Sequence, residues 1–238
     1  MHAVQVSHPI TPSLLTRPLN PLLKLTFFPG AMTWALFDKL DGKWKQFVGV
    51  DISPKSVELY NQKAATQFTP EEMHAVCTEL SGQPGELNGT TFDVIIVRPP
   101  VFFSAPNIQF SHRPLSLFYS SQKCSQAYHH FANVNTITRV LASFLKPGGT
   151  LFVADHMAHD GTLFKPEHDP SFAAAVHTVS HRSGFTEEEM KLIFEHDGGL
   201  QDFRWLPNIE AVANKSDTKR VEIFLATGTK PQSQSAST

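Results

Sequence analysis

"FVGVDISPKSVELYNQKA", residues 47–64, changes its period halfway through. Its first half is an apolar run closed by an acid, Asp51, which reads as a buried strand of a parallel sheet. Its second half is a helix. Ser53 stands at the N-cap, Pro54 at the first helical position, and Val57, Tyr60 and Ala64 share one face. A strand that ends in an acid and turns at once into a helix is half of a βαβ unit. In nucleotide-binding α/β folds the acid at that place accepts ribose hydroxyls. The competing reading of Asp51 is an N-cap or surface acid.

The same rhythm continues downstream. "HAVCTEL" is a strand that puts Glu79 near where an adenine edge would lie, and a solvated loop acid is the other reading of Glu79. "TFDVIIV" is a fully apolar strand. "NVNTITRVLASFL" is an amphipathic helix stopped by "KPGG", and "TLFVAD" is a further buried strand. "FTEEEMKLIFEHDGG" opens with Thr186 and Glu189 at capping-box spacing, "VEIFLATGTK" is a last strand, and "PQSQSAST" a disordered tail. Strands alternating with helices in this way predict an α/β fold, a mostly parallel sheet with helices on both faces.

Composition narrows the function. At 238 residues, 41% hydrophobic and 18% charged, the chain has material for one core. A net charge of −2 gives no reason to expect nucleic acid or an anionic membrane as partner, and no apolar run reaches the length of a membrane span. Cys77 and Cys124 lack metal-ligand spacing, which suits a reducing, cytoplasmic setting. The absence of acids before Asp38 hints at a transit peptide, but five prolines in residues 1–29 oppose the helix it would need.

In this order and spacing, "GVDISPKSVELYNQKA", "FDVII", "CSQAYHHF", "ITRVLASFLKPGGTLFVAD" and "GFTEEEMKLIFEHDGG" resemble the class I S-adenosylmethionine-dependent methyltransferases. The likeness is to the small-molecule branch that includes the ubiquinone and menaquinone biosynthesis methyltransferases. It implies a Rossmann-like sheet of about seven strands, S-adenosyl-L-methionine as cofactor and a small-molecule methyl acceptor. It implies that Asp51 holds the cofactor ribose, that Ile52 packs the adenine, and that Glu79 and Leu80 lie at the adenine edge. It puts Tyr128, His129 and His130 beside the methyl-transfer site.

The histidines also carry a reading of their own. His129 and His130 follow the C-terminal end of a strand, where one could act as a general base, or one packs while the other only hydrogen-bonds. His156 and His159 fall on the same side of the sheet. Neither "HHFANVN" nor "DHMAHD" offers a convincing ligand set, so no metal is expected.

Two stretches break the pattern. The family's first strand runs into a turn of the form Asp/Glu-x-Gly-x-Gly-x-Gly, whereas here only Gly30, its last glycine, has a counterpart, before the helix of "AMTWALFDKL". Leu22, Leu23, Leu25, Phe27 and Phe28 mimic the apolar strand without the acid or the earlier glycines. Residues 97–122, with four prolines, read as an inserted loop outside the sheet. The expected organisation is an atypical segment 1–29, a methyltransferase-like domain 30–229 and a tail 230–238. Segments 1–29 and 97–122 also read as translated intron, the alternative being a diverged protein with a proline-rich lid. The missing turn predicts impaired cofactor binding. It keeps open a non-catalytic scaffold, and Asp51 alone would fit a nicotinamide-dependent oxidoreductase too.

Overall fold

The computed structural model describes residues 22–25, 44–97, 102–103, 128–158, 180–212 and 220–232. Eight strands form one sheet: β1 (Leu22–Leu25), β2 (Phe47–Asp51), β3 (Met73–Cys77), β4 (Phe92–Val97), β5 (Phe102–Phe103), β6 (Leu145–His156), β7 (Gln201–Val212) and β8 (Arg220–Thr229). Their order is β3-β2-β1-β4-β6-β8-β7-β5. The first five in that order are mutually parallel, and β8, β7 and β5 continue antiparallel. Among the described residues there are three α-helices, α1 (Pro54–Ala64), α2 (Val134–Phe144) and α3 (Glu187–Leu192), the last continued by a π turn over Ile193–Asp197.

Alternation along each strand sends side chains to two cores. Val48, Val50, Ile95, Val97, Leu151 and Val153 meet Ile137 and Leu141 of α2. Phe47, Val94 and Ile96 meet Tyr60 and Ala64 of α1 on the other face. Helices therefore cover both faces, which is why the central strands read as unbroken apolar runs. The caps are those the sequence announces. The Ser53 side chain accepts from the Ser56 amide, and Thr186 and Glu189 close a complete capping box.

The Rossmann-like α/β fold is the one expected, with differences at three strands. β1 comes from within residues 1–29 and lies at the centre of the sheet, Leu25 registering with Val50 on one side and Val97 on the other. β5 corrects the expectation that 97–122 stays outside the sheet: Phe102 and Phe103 pair with Val212 and Ala211. Those two residues fall between Pro100 and Pro106, so their amides are available for an edge pairing. With β5 the sheet has eight strands among the described residues, where about seven were expected. β7 carries no clear period in the sequence, because its pairing with β8 shifts register twice, around Asp202–Phe203 and Pro207–Asn208. Gly30, His159, the helix of "AMTWALFDKL" and the rest of 97–122 lie outside the described residues.

Candidate functional site

The parallel strands β2, β1, β4 and β6 end on one rim, at Asp51, Leu25, Val97 and His156. Open α/β sheets bind their ligands outside such a rim. Asp51 is buried, and its Oδ1 accepts from the Ser53 amide at 2.7 Å. No donor among the described residues meets hydrogen-bond geometry to Oδ2, although that atom is buried. Burial pushes the carboxyl up to about 6, against the pull of the Ser53 amide and the Ser56 hydroxyl. Ser53, not Asp51, caps α1, so the N-cap reading of the acid does not hold.

This orphan oxygen tests whether the rim suits S-adenosyl-L-methionine. An acceptor left over at the end of β2 is what a pair of ribose hydroxyls requires. A cavity of about 10 Å³ behind it, lined by Gly49, Val57 and Tyr60, has room for no more than a water, so a ribose must approach from the rim. Beside Asp51, Ile52 is 43% exposed, an uncovered apolar side chain in the position implied for adenine packing. Glu79 is exposed and Leu80 buried, both just past β3. The residues fit the group.

A second cluster sits at the end of β6. Tyr128–His130 form a 3-10 turn ahead of α2. His129 is buried, and its Nδ1 lies 2.6 Å from Oδ1 of Asp155, while its backbone amide donates to Asp155 Oδ2 at 3.0 Å. The His156 amide adds a third donor at 2.7 Å. Burial alone would raise the Asp155 carboxyl, but the adjacent His129 imidazole and these donors hold it below the usual carboxylate range. The His129 ring lies between those of His130 (4.4 Å) and His156 (5.2 Å). His130 is half-buried. The Tyr128 hydroxyl is occupied by Thr138 and the Val134 carbonyl, and burial pushes it well above its ordinary range, so it packs rather than reacts.

A strap, residues 180–185, ties the two sides of this cluster together. The amides of Ser180 and His181 both donate to the His129 carbonyl, and the Phe185 amide donates to that of His156. Phe185 packs on Tyr128 and Phe224. His181 Nε2 is buried and has no hydrogen-bond partner among the described residues.

The structure thus brings His129, His130 and His156 together and leaves Asp51, Ile52, Glu79 and Leu80 at the other end of the rim. Sequence reasoning missed Asp155 and His181. For Asp155 the signal was present, because "LFVAD" ends a buried strand in an acid just as "VGVD" does. Ligand atoms of His129, Asp155 and His156 all lie within 4.8 Å of one another, but both Asp155 oxygens already accept from N–H groups. That arrangement suits orienting an imidazole, the apparatus of a proton acceptor, better than coordinating an ion.

Comparison with known proteins identifies the family and the fold. A family model described as a methyltransferase domain matches residues 29–198. An uncharacterized methyltransferase of Schizosaccharomyces pombe is 29% identical over 156 residues, which is 64% of this chain and 45% of the relative. The chain thus spans less than half the length of that curated relative. Among solved structures, the N-methyltransferase NodS from Bradyrhizobium japonicum WM9 is similar with a TM-score of 0.52 at 15% identity, covering 92% of this chain and 90% of its own. A SAM-dependent methyltransferase from Methanosarcina mazei gives 0.54 at 14%, covering 94% and 98%. At these identities the likeness to the solved structures is one of fold.

Proposed function

From the premise that this chain belongs to the methyltransferase-domain family, we propose that it methylates a small molecule at a nucleophilic oxygen, nitrogen or carbon. S-adenosyl-L-methionine, the methyl donor, supplies when bound a methyl group on a positively charged sulfur, a good leaving group. The protein has to align, exclude water and, for a protonated acceptor, remove a proton.

Asp51 holds the ribose, Ile52 packs the adenine, Glu79 and Leu80 lie at its edge, and Gly30 is assigned to the methionine end. His129 or His130 takes the acceptor's proton. The acceptor lies over the end of β6, walled by Phe131 and Phe185. Neither a nucleic acid nor a membrane is a partner in this reading, for which a net charge of −2 and the free thiol of Cys77 suit a cytoplasmic enzyme. Among the described residues no helix is long and apolar enough to cross a membrane.

The observation that carries the reading is the buried Oδ2 of Asp51 on the rim, which meets no hydrogen-bond donor among the described residues. Cofactor affinity is low, because Lys24, Thr26 and Phe28 stand where the family's turn has an acid and two glycines, and only its last glycine, Gly30, has a counterpart. Ligand-observed NMR at millimolar S-adenosyl-L-methionine tests this, with Asp51→Ala as control. Weak binding that disappears in the variant is the expected result. Binding unchanged by the substitution overturns the ribose assignment, and no binding at any concentration favours the non-catalytic scaffold.

A further inference from the structure

The loop between β3 and β4 closes on itself through one carboxylate, that of Glu86. It accepts from the Ser81 amide, at 3.1 Å to Oε1 and 3.2 Å to Oε2, from the Gly82 amide at 2.9 Å, and from the Ser81 hydroxyl. The Glu86 amide in turn donates to the Gln83 carbonyl at 3.2 Å. The Ser81 hydroxyl first, and the amides after it, hold the Glu86 carboxyl below its usual range.

Both feet of the loop are anchored. At its start the Thr78 amide donates to the Asp51 carbonyl at 3.1 Å, and the Cys77 thiol to the Ile52 carbonyl at 3.6 Å. The chain leaving β3 therefore runs beside the rim acid and its exposed apolar neighbour. Leu80 is buried in the core on the α2 side, and Leu87, just past Glu86, packs against the same core. Between these feet residues 81–85 are exposed. Gly82 and Gly85 hold φ of +78° and +89°, so this stretch has much conformational freedom to lose. The charge-assisted bonds to Glu86 offset that loss.

We propose that Glu86 is a positioning residue for the adenine end of the cofactor: it closes the loop before a ligand arrives, so that Glu79 and Leu80 stand ready beside Ile52. This rests on the methyl-transfer reading above, which assigns Asp51, Ile52, Glu79 and Leu80 to the nucleoside. Glu86 acts through the loop rather than by contact. With the loop closed in advance, its ordering is met on folding and not on binding. Once the loop is released, only a fraction of the molecules is competent, and affinity falls by that fraction.

Adenosine is the probe, because it carries the ribose and adenine without the methionine end that meets the altered first turn. Ligand-observed NMR titrations of the full chain compare wild type, Glu86→Gln, Glu86→Ala and Asp51→Ala, with thermal melts alongside. Glu86→Gln keeps the size but turns an N–H toward the loop amides, and Glu86→Ala removes the acceptor. Each should weaken adenosine by about tenfold or more. A role confined to stability would lower the melting temperature and leave the affinity of the folded protein unchanged, and that result overturns the proposal. In the wild-type chain the Ser81 and Gly82 amide signals should titrate together, with a midpoint below that of an ordinary glutamate. Signals that do not follow Glu86 overturn it even if neither variant folds. Adenosine binding that is absent, or that survives Asp51→Ala, overturns the ribose assignment and this proposal with it. Binding lost in Asp51→Ala but unchanged in both Glu86 variants overturns this proposal alone.

Discussion

Asp51 and Asp155 end β2 and β6 on the same rim but leave the sheet on opposite faces, Asp51 toward α1 and Asp155 toward the side of α2. The two strands are three positions apart in the sheet, about 14 Å at ordinary strand spacing. Both carboxylates are buried. Their chemistry diverges because Asp155 accepts three N–H bonds, whereas among the described residues Asp51 accepts one and leaves an oxygen over. The first is settled inside the protein, and the second is arranged for something outside it.

A carboxyl raised from 3.8 to about 6 in the folded state makes folding pH-dependent. The folded protein binds the proton more tightly than the unfolded chain. Its contribution to stability is therefore greatest below pH 4, declines as pH rises toward 6, and is flat above that. Asp51→Asn keeps the acceptor for the Ser53 amide and removes the charge. Without cofactor the variant should be more stable at pH 7 by on the order of 1–3 kcal/mol, and the gain should vanish near pH 4. Denaturant titrations at pH 4, 5.5 and 7 measure it. A variant no more stable at pH 7 than at pH 4, relative to the parent, contradicts the buried, under-solvated carboxylate.

Gly184 lets the strap cross the end of β6. Its φ is +76°, and a Cβ there would lie 2.3 Å from the Met157 carbonyl oxygen and 2.8 Å from that of His156. Gly184→Ala combines backbone strain with a backbone collision and should cost at least about 2 kcal/mol. Gly85 has a φ of +89° with nothing within 4 Å of the same position, so Gly85→Ala should cost about half as much or less. Thermal melts of the two variants compare them. Equal losses would show that the strap does not pack on β6 as described.

His129, Asp155 and His156 test the metal question in solution. A metal bound there would have to displace the proton between Nδ1 and Oδ1. Dialysis against a chelator should shift the melting temperature by no more than about 1 °C, and added zinc should not raise it. A drop of several degrees, reversed by zinc, would turn the three side chains into ligands.

Period and capping made most of this fold legible. The strands at 47–51, 73–77 and 92–97, the 150–155 part of β6 and the capping box at Thr186 announce themselves in residue spacing, whereas residues 145–149, which also belong to β6, read as a helix stop and turn. β7 did not, because Pro207 and two register shifts break its alternation. β1 was visible only as an apolar mimic, since Leu22–Leu25 lack the acid and glycines that mark such a strand. In the site, Asp51 and the paired histidines were legible from their place after strands. Asp155 and His181 act on His129 from 26 and 52 residues away, and no local pattern encodes that meeting.

The first turn yields the last prediction. Counting back from Gly30 in steps of two places Phe28, Thr26 and Lys24 where the family's pattern has two glycines and an acid. Lys24 belongs to β1, in register with Gly49 of β2 and Ile96 of β4. A chain carrying Lys24→Glu, Thr26→Gly and Phe28→Gly restores an acceptor for the methionine amine and backbone N–H groups for its carboxylate. It also exchanges one positive charge in the sequence for a negative one. Two recovered charge-assisted bonds at about 1.5 kcal/mol each amount to roughly a hundredfold in affinity. Calorimetric titration with S-adenosyl-L-methionine should show at least that gain, and Asp51→Ala in the same background should remove it. Tight binding by the unaltered chain would mean that "TFFPG" holds the methionine end by other means. No binding by the altered chain would leave a methyltransferase fold that does without its cofactor.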